Sequence, residues 1–175
     1  MFMHPEAIIA AAQLRPSDVV ADFGAGSGFM SRAAAKLVPQ GTVYAIELQR
    51  GLVERLEHDA KEANLSNLHP IWGDIESPKG SSLADASVDV VILSNILFQL
   101  DDKSGAVAEV ARVLKPASKV LVIDWTESFG GLGPAPQHVF RPEQARALFE
   151  QRGLQVVTDQ LPAGEHHYAI LLRKG

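Results

Sequence analysis

The stretch Asp22-Phe23-Gly24-Ala25-Gly26-Ser27-Gly28 decides how the rest of the chain is read. Before and into it, Val19-Val20-Ala21-Asp22-Phe23 is a short apolar run that stops at glycines, the mark of a buried strand. After it, Phe29, Ala33 and Leu37 recur at helical spacing until Pro39 and Gly41. The glycines therefore occupy a strand-to-helix turn, where backbone N–H groups face a ligand. Three glycines alternating within five residues exceed what a tight turn needs. They permit positive φ and let a ligand approach the backbone closely.

Working outward, the same alternation continues almost from end to end. Ile8 to Leu14 closes a short leading helix within residues 1–16, ended by Pro16. Thr42 to Leu48 reads as a second strand, and Leu52, Val53, Leu56, Ala60 and Ala63 as the apolar stripe of a second helix. Leu68 to Trp72 is a third strand. Val88 to Leu93 is nearly continuous apolar sequence, as a parallel strand covered on both faces requires. Asp101 and Asp102 suit a helix N-terminus, and that helix continues through Val107, Val110 and Leu114 to Pro116. Val120 to Trp125 is the fifth strand. Thr126 to Phe140 is a glycine- and proline-rich loop, followed by a helix that opens at Pro142 and ends at Gly153. Leu154 to Leu161 and His167 to Arg173 form the last two strands; Pro162-Ala163-Gly164 between them is too short for a crossover helix, so they pair antiparallel.

This pattern predicts a single α/β domain over residues 1–175: a doubly wound, mostly parallel seven-stranded sheet with helices on both faces and an antiparallel last strand. In such sheets ligands bind beyond the C-terminal strand ends. Function is therefore sought after Phe23, Leu48, Trp72 and Leu93.

Composition narrows the classes. With 175 residues and 46% hydrophobic content the chain can bury a core of its own. Sixteen basic against 21 acidic residues leave a net charge of −5, which opposes a duplex nucleic-acid partner held by phosphate neutralisation. The chain has no cysteine, so disulfides and thiolate chemistry are excluded. No apolar run approaches the ~20 residues that cross a bilayer, which predicts no membrane partner. His4, Pro5 and Glu6 do not resemble a signal peptide, so a cytoplasmic location is expected. The histidines are scattered without a His-x-x-x-His pair, and no metal site is expected.

The glycine spacing discriminates among nucleotides. A dinucleotide fingerprint would be G-x-G-x-x-G, but its last position falls on Phe29 or Ser31 in the two available registers. What stands here is D-x-G-x-G-x-G, which resembles motif I of the Rossmann-like (class I) S-adenosylmethionine-dependent methyltransferases, of the small-molecule type. The resemblance spans nearly the whole chain. It implies S-adenosylmethionine as cofactor, held by Asp22, Gly24, Ala25, Gly26 and Gly28. Glu47 lies 19 positions past Gly28, close to the ~20 at which an acid meets a ribose in such folds. By the same resemblance Asp74 accepts from the adenine amino group, the backbone N–H of Ile75 meets the ring, and Leu48 and Ile75 supply apolar faces. Ser94 borders the methionine end.

The acceptor side is less defined. No Asn-Pro-Pro-Tyr stands after the fourth strand, which argues against methylation of a base amino group. Phe98 and Gln99 replace a His-His pair found in many small-molecule relatives, and Phe98 is either a pocket wall or core. About twenty residues precede Asp22, where many relatives carry a longer helical lid. The expected acceptor wall is therefore Phe98, Trp125 and the Thr126–Phe140 loop with Phe129 and His138. His138 is the one candidate base, with capping of the next helix as its alternative role. Asp124 resembles a metal-binding acid whose partners here are only Ser94 and Asn95. His166 and His167 are expected in solvent. An NAD-dependent oxidoreductase and a non-catalytic S-adenosylmethionine-binding relative remain as alternatives.

Overall fold

The computed structural model describes residues 4–175. Its strands are β1 (Val19–Phe23), β2 (Thr42–Glu47), β3 (Leu68–Trp72), β4 (Val88–Ser94), β5 (Leu114–Trp125), β6 (Leu154–Thr158) and β7 (His167–Lys174). Its helices are α1 (Pro5–Ala10), α2 (Phe29–Leu37), α3 (Arg50–Glu62), α4 (Lys103–Val113) and α5 (Pro142–Glu150). The strands join in one seven-stranded sheet of order β3-β2-β1-β4-β5-β7-β6. Pairings among the first five strands are parallel, and β7 is antiparallel to both β5 and β6. This is the expected architecture.

Side chains alternate across a strand, and here the alternation sorts the core into two layers. Val20, Val43, Ala45, Ile92, Ile123 and Leu171 face α1, α2 and α3, packing with Ile9, Ala34 and Leu56. Phe23, Ile46, Leu93, Val122 and Leu172 face α4 and α5, packing with Val107, Val110 and Phe149. Burying apolar surface on both faces is the dominant favourable term, at about 25 cal/mol per Å². The helix starts follow from local chemistry. Pro5 begins α1 at a position where its missing N–H costs nothing. Asp102 caps α4, its side chain accepting from the Gly105 N–H at 2.8 Å.

Several boundaries differ from expectation, among them the end of α4, which stops at Val113 instead of running through Leu114 to Pro116. The strand β5 begins at Leu114 rather than Val120, because the chain leaving α4 pairs at once with Val88. The strand β6 ends at Thr158 rather than Leu161, after a register shift between Val156 and Thr158. The leading helix occupies only Pro5–Ala10, and Met1–Met3 of the expected 1–16 segment lie outside the described residues.

Candidate functional site

The strand alternation that builds the core also builds the site. Continuing the α1–α3 face to the C-terminal end of each parallel strand brings up Glu47 on β2, Asp22 on β1, Ser94 on β4 and Trp125 on β5. On β7, which enters from the same end, it brings up His167, paired with Trp125. All five line one cleft of about 900 Å³. That is near the upper end of the ~300–1,000 Å³ usual for small-molecule sites.

One end of the cleft is made by the glycine turn. Gly24, Gly26 and Gly28 all have positive φ, +75°, +55° and +77°, which only glycine adopts freely. The N–H groups of Gly24 and Ala25 both donate to the Ile46 carbonyl at 2.9 and 3.0 Å, tying the turn to β2. Glu47 completes the tie. One of its carboxylate oxygens accepts from the Gly26 N–H and the other from the Gln49 N–H, each at 2.9 Å. Beneath the turn, Asp22 is fully buried and accepts from the Ser31 hydroxyl at 2.5 Å. Burial pushes its carboxyl up to about 6, against the opposing pull of Ser31. Phe29 and Leu48 stand in the wall as large apolar side chains left 65% and 57% exposed. Exposure of that size at a cleft marks surface awaiting a partner.

The other end is made by Trp125, His167, Leu132 and Gly133. The Trp125 and His167 rings lie 4.2 Å apart, tilted by 40°. Gly133 lies against the Trp125 ring so closely that an added Cβ would sit 2.6 Å from it. The Thr126–Phe140 loop is thus folded across Trp125. Its start is fastened to His166: Glu127 Oε1 lies 2.8 Å from His166 Nδ1, and the Phe129 ring stacks on the imidazole at 3.8 Å.

Of the residues singled out in the sequence, the cleft brings together Asp22, Gly24, Ala25, Gly26, Glu47, Leu48, Ser94 and Trp125. It does not include Gly28, Asp74, Ile75, Phe98, Phe129 or His138 among its walls. The Asp74 carboxylate is engaged locally by the Glu76 N–H and the Ser77 hydroxyl, and Ile75 is buried in the core. His138 is exposed in a short 3-10 turn, Pro136–His138. Asp124 points to the α4–α5 face, buried, accepting from the Trp125 N–H at 2.8 Å. Burial pushes its carboxyl up to about 6 as well. Among the described residues no three His, Asp or Glu side chains stand together as a metal would require. His167 corrects the expectation of a solvated hairpin histidine. It begins a strand inside the sheet, against Trp125, and its Nε2 is buried. Its two-residue alternation with Ala169 and Leu171 is the signal that would have placed it on the cleft face, once β7 is paired with β5.

The sequence profile of the methyltransferase domain family matches residues 21–122, more than half of the chain. The chain belongs to this methyltransferase family. Among curated relatives, a methyltransferase named str2 from Strobilurus tenacellus is 27% identical over 170 residues, 92% of this chain and 54% of its own length. An arsenite methyltransferase from Halobacterium salinarum is 28% identical over 116 residues, 66% of this chain and 29% of its own. The chain thus spans about half, or less, of the curated relatives it matches. A crystal structure of a SAM-dependent methyltransferase from Aquifex aeolicus superposes with a TM-score of 0.90 at 23% identity, covering 99% of this chain and 91% of that one, which shows the shared fold.

The cleft of this methyltransferase domain suits a nucleoside ligand carrying a cationic group. A Cβ at Gly26 would meet nothing within 4 Å, so the turn leaves open space above its backbone. Two carboxylates, Asp22 and Glu47, stand in the same wall as the exposed apolar faces of Phe29 and Leu48.

Proposed function

We propose that the domain transfers a methyl group from S-adenosylmethionine to a small-molecule acceptor. The observation that carries the reading is the delivery of Asp22, Glu47, Ser94, Trp125 and His167 by five strands to one cleft, with Glu47 bound to the glycine turn itself. When bound, S-adenosylmethionine supplies a methyl group on a positively charged sulfur, so the leaving group comes with the cofactor. The chain's own residues then bind, align and exclude water. The backbone of Gly24, Ala25 and Gly26 cradles the cofactor while Gly28 sets the turn. Asp22 and Glu47 supply negative charge, Glu47 toward the ribose, and Leu48 offers an apolar face to the base. By resemblance Asp74 and Ile75 serve the base edge, and Ser94 borders the transferring end. Trp125 and the 126–140 loop, with Phe98, Phe129 and His138 around it, form the acceptor side.

We propose further that residues 1–175 work as one domain in the cytoplasm, without a duplex nucleic-acid or membrane partner. Among the described residues no helix is long and apolar enough to cross a membrane, and the net charge of −5 disfavours phosphate-rich surfaces. The test is a calorimetric and thermal-shift panel of S-adenosylmethionine, S-adenosylhomocysteine, NAD and NADP. S-adenosylhomocysteine is expected to raise the melting point by mass action, and NAD to bind at least about a hundredfold more weakly, about 2.7 kcal/mol. Comparable affinity for NAD would sink the reading and favour an oxidoreductase.

A further inference from the structure

Trp72 ends β3 at the outer edge of the sheet and is not itself a wall of the cleft. It is paired in register with Glu47 of β2, so the two side chains stand on the same face. The residue is 48% exposed, so packing alone does not fix its ring. Two contacts do. The indole Nε1–H donates to the Leu48 carbonyl at 2.8 Å. The Arg50 guanidinium lies over the ring, 4.0 Å from its centroid, within the range of a cation–π contact.

The Leu48 carbonyl and the Gln49 N–H belong to one planar peptide. Trp72 holds the carbonyl, and a Glu47 carboxylate oxygen accepts from the N–H at 2.9 Å. The other Glu47 oxygen accepts from the Gly26 N–H, also at 2.9 Å. One peptide is thus fixed from both sides and joined through Glu47 to the glycine turn. Fixing that peptide fixes the backbone at Leu48, and with it the direction of a side chain that lines the cleft while 57% exposed.

We propose that Trp72 is a positioning residue for the base end of the cleft. By holding the Leu48 carbonyl it presents the Leu48 side chain as a preformed apolar face for a planar heteroaromatic ring. The proposal rests on the methyl-transfer reading, in which Leu48 faces the base, and deepens it. A ligand binds more tightly to a wall that it does not have to order. Without the indole N–H the Leu48 carbonyl turns to water at little cost to the fold, but the peptide is then held only by Glu47. Trp72 therefore acts on ligands that carry the base, and it acts through Leu48. A ring that merely shielded the sheet edge would act independently of both.

The experiment compares the parent with Trp72→Phe, which keeps a ring for Arg50 and removes the N–H donor, with Leu48→Ala, and with the double variant. Calorimetry with S-adenosylhomocysteine comes first. If the parent does not bind it, the methyl-transfer reading itself has failed and this proposal falls with it. Trp72→Phe is expected to bind about three- to tenfold more weakly, the scale of one neutral hydrogen bond. In the Leu48→Ala background the same change is expected to cost less than about twofold, because the side chain through which Trp72 acts is gone. Parent-like affinity in Trp72→Phe, or as large a loss in the Leu48→Ala background as in the parent, overturns the proposal. Adenosine, which has the base and ribose without the amino acid, is then expected to lose by the same factor as S-adenosylhomocysteine; an unaffected adenosine affinity overturns it. Finally, the ¹⁵N-labelled indole N–H of Trp72 is followed by NMR in the parent. Trp72 and Trp125 are the two tryptophans of the chain, so the signal is identified by its loss in Trp72→Phe or, should that variant not fold, by its survival in Trp125→Phe. Adenosine is expected to shift it saturably, and methionine, which lacks the base, is not. No shift with adenosine, or equal responses to the two, overturns the proposal.

Discussion

The two ends of the cleft are built on opposite principles. At the glycine turn the polar groups are tied to one another: Glu47 by two backbone N–H groups, Asp22 by Ser31, and the Gly24 and Ala25 N–H groups by the Ile46 carbonyl. At the Trp125 end the wall consists of two rings tilted against each other, a glycine laid on an indole, and a buried histidine nitrogen with no hydrogen-bond partner. The first end is preorganised by the backbone. The second is held by side chains and a loop, and can be re-cut for a different acceptor without disturbing the first. In the proposed reading the first is the cofactor end and the second the acceptor end, a division that suits a fold hosting many reactions.

The sharpest way to break the comparison is to place the same side chain at each end. Gly26→Val puts a branched group into open space over the turn, at a φ of +55° that valine resists. The strain costs on the order of 1–3 kcal/mol, which a domain of this size survives. Calorimetry should show S-adenosylhomocysteine affinity reduced by more than about a hundredfold, beyond 2.7 kcal/mol. Gly133→Val instead collides with the Trp125 ring, so it should leave that affinity within about threefold, roughly 0.65 kcal/mol, and reduce methyl transfer. Equal effects of the two on cofactor binding would abolish the distinction between the ends.

Next in size is Glu47→Ala. The carboxylate holds the Gly26 N–H and in the proposed reading serves the ribose, so its loss should weaken S-adenosylhomocysteine by roughly 1.5–3 kcal/mol, the range for hydrogen bonds to a charged group. Unchanged affinity would remove Glu47 from the site.

A comparable effect concerns stability. Burial raises the Asp22 carboxyl from 3.8 to about 6 in the folded chain. The protonated acid costs the fold nothing, so the penalty is absent below pH ~4. It grows as pH rises through that interval and is complete above it, reaching on the order of 2–3 kcal/mol. Asp22→Asn keeps an acceptor for Ser31 without the charge. Its melting point should exceed the parent's at pH 7.5 and match it at pH 3.5. A parallel offset at both pH values would show that Asp22 is not the buried charge responsible.

What was legible in the sequence follows the same division. The glycine turn, the strand before it and Glu47 are set by neighbours in sequence, where spacing and residue type carry the physics. Strand periodicity likewise exposed the sheet and its antiparallel end. His167 was read as solvated because its position depends on β7 lying between β5 and β6. That places it opposite Trp125, a residue far upstream. No local pattern reports such a pairing, nor the folding of Gly133 onto the indole. Asp74 shows the converse: its motif was recognisable, yet its carboxylate spends its hydrogen bonds on Glu76 and Ser77.

The insertion of β7 between two strands made before it has a consequence for biosynthesis. As the chain leaves the ribosome, β1 to β4 can pair and shape the glycine turn while β5 still has an open edge. Only when the segment through Lys174 has emerged can that edge be covered and Trp125 acquire its partner. The nascent chain can therefore form the glycine-turn end of the cleft before the Trp125 end is complete. A ribosome-arrested chain lacking β7 would expose the β5 edge and be prone to aggregation.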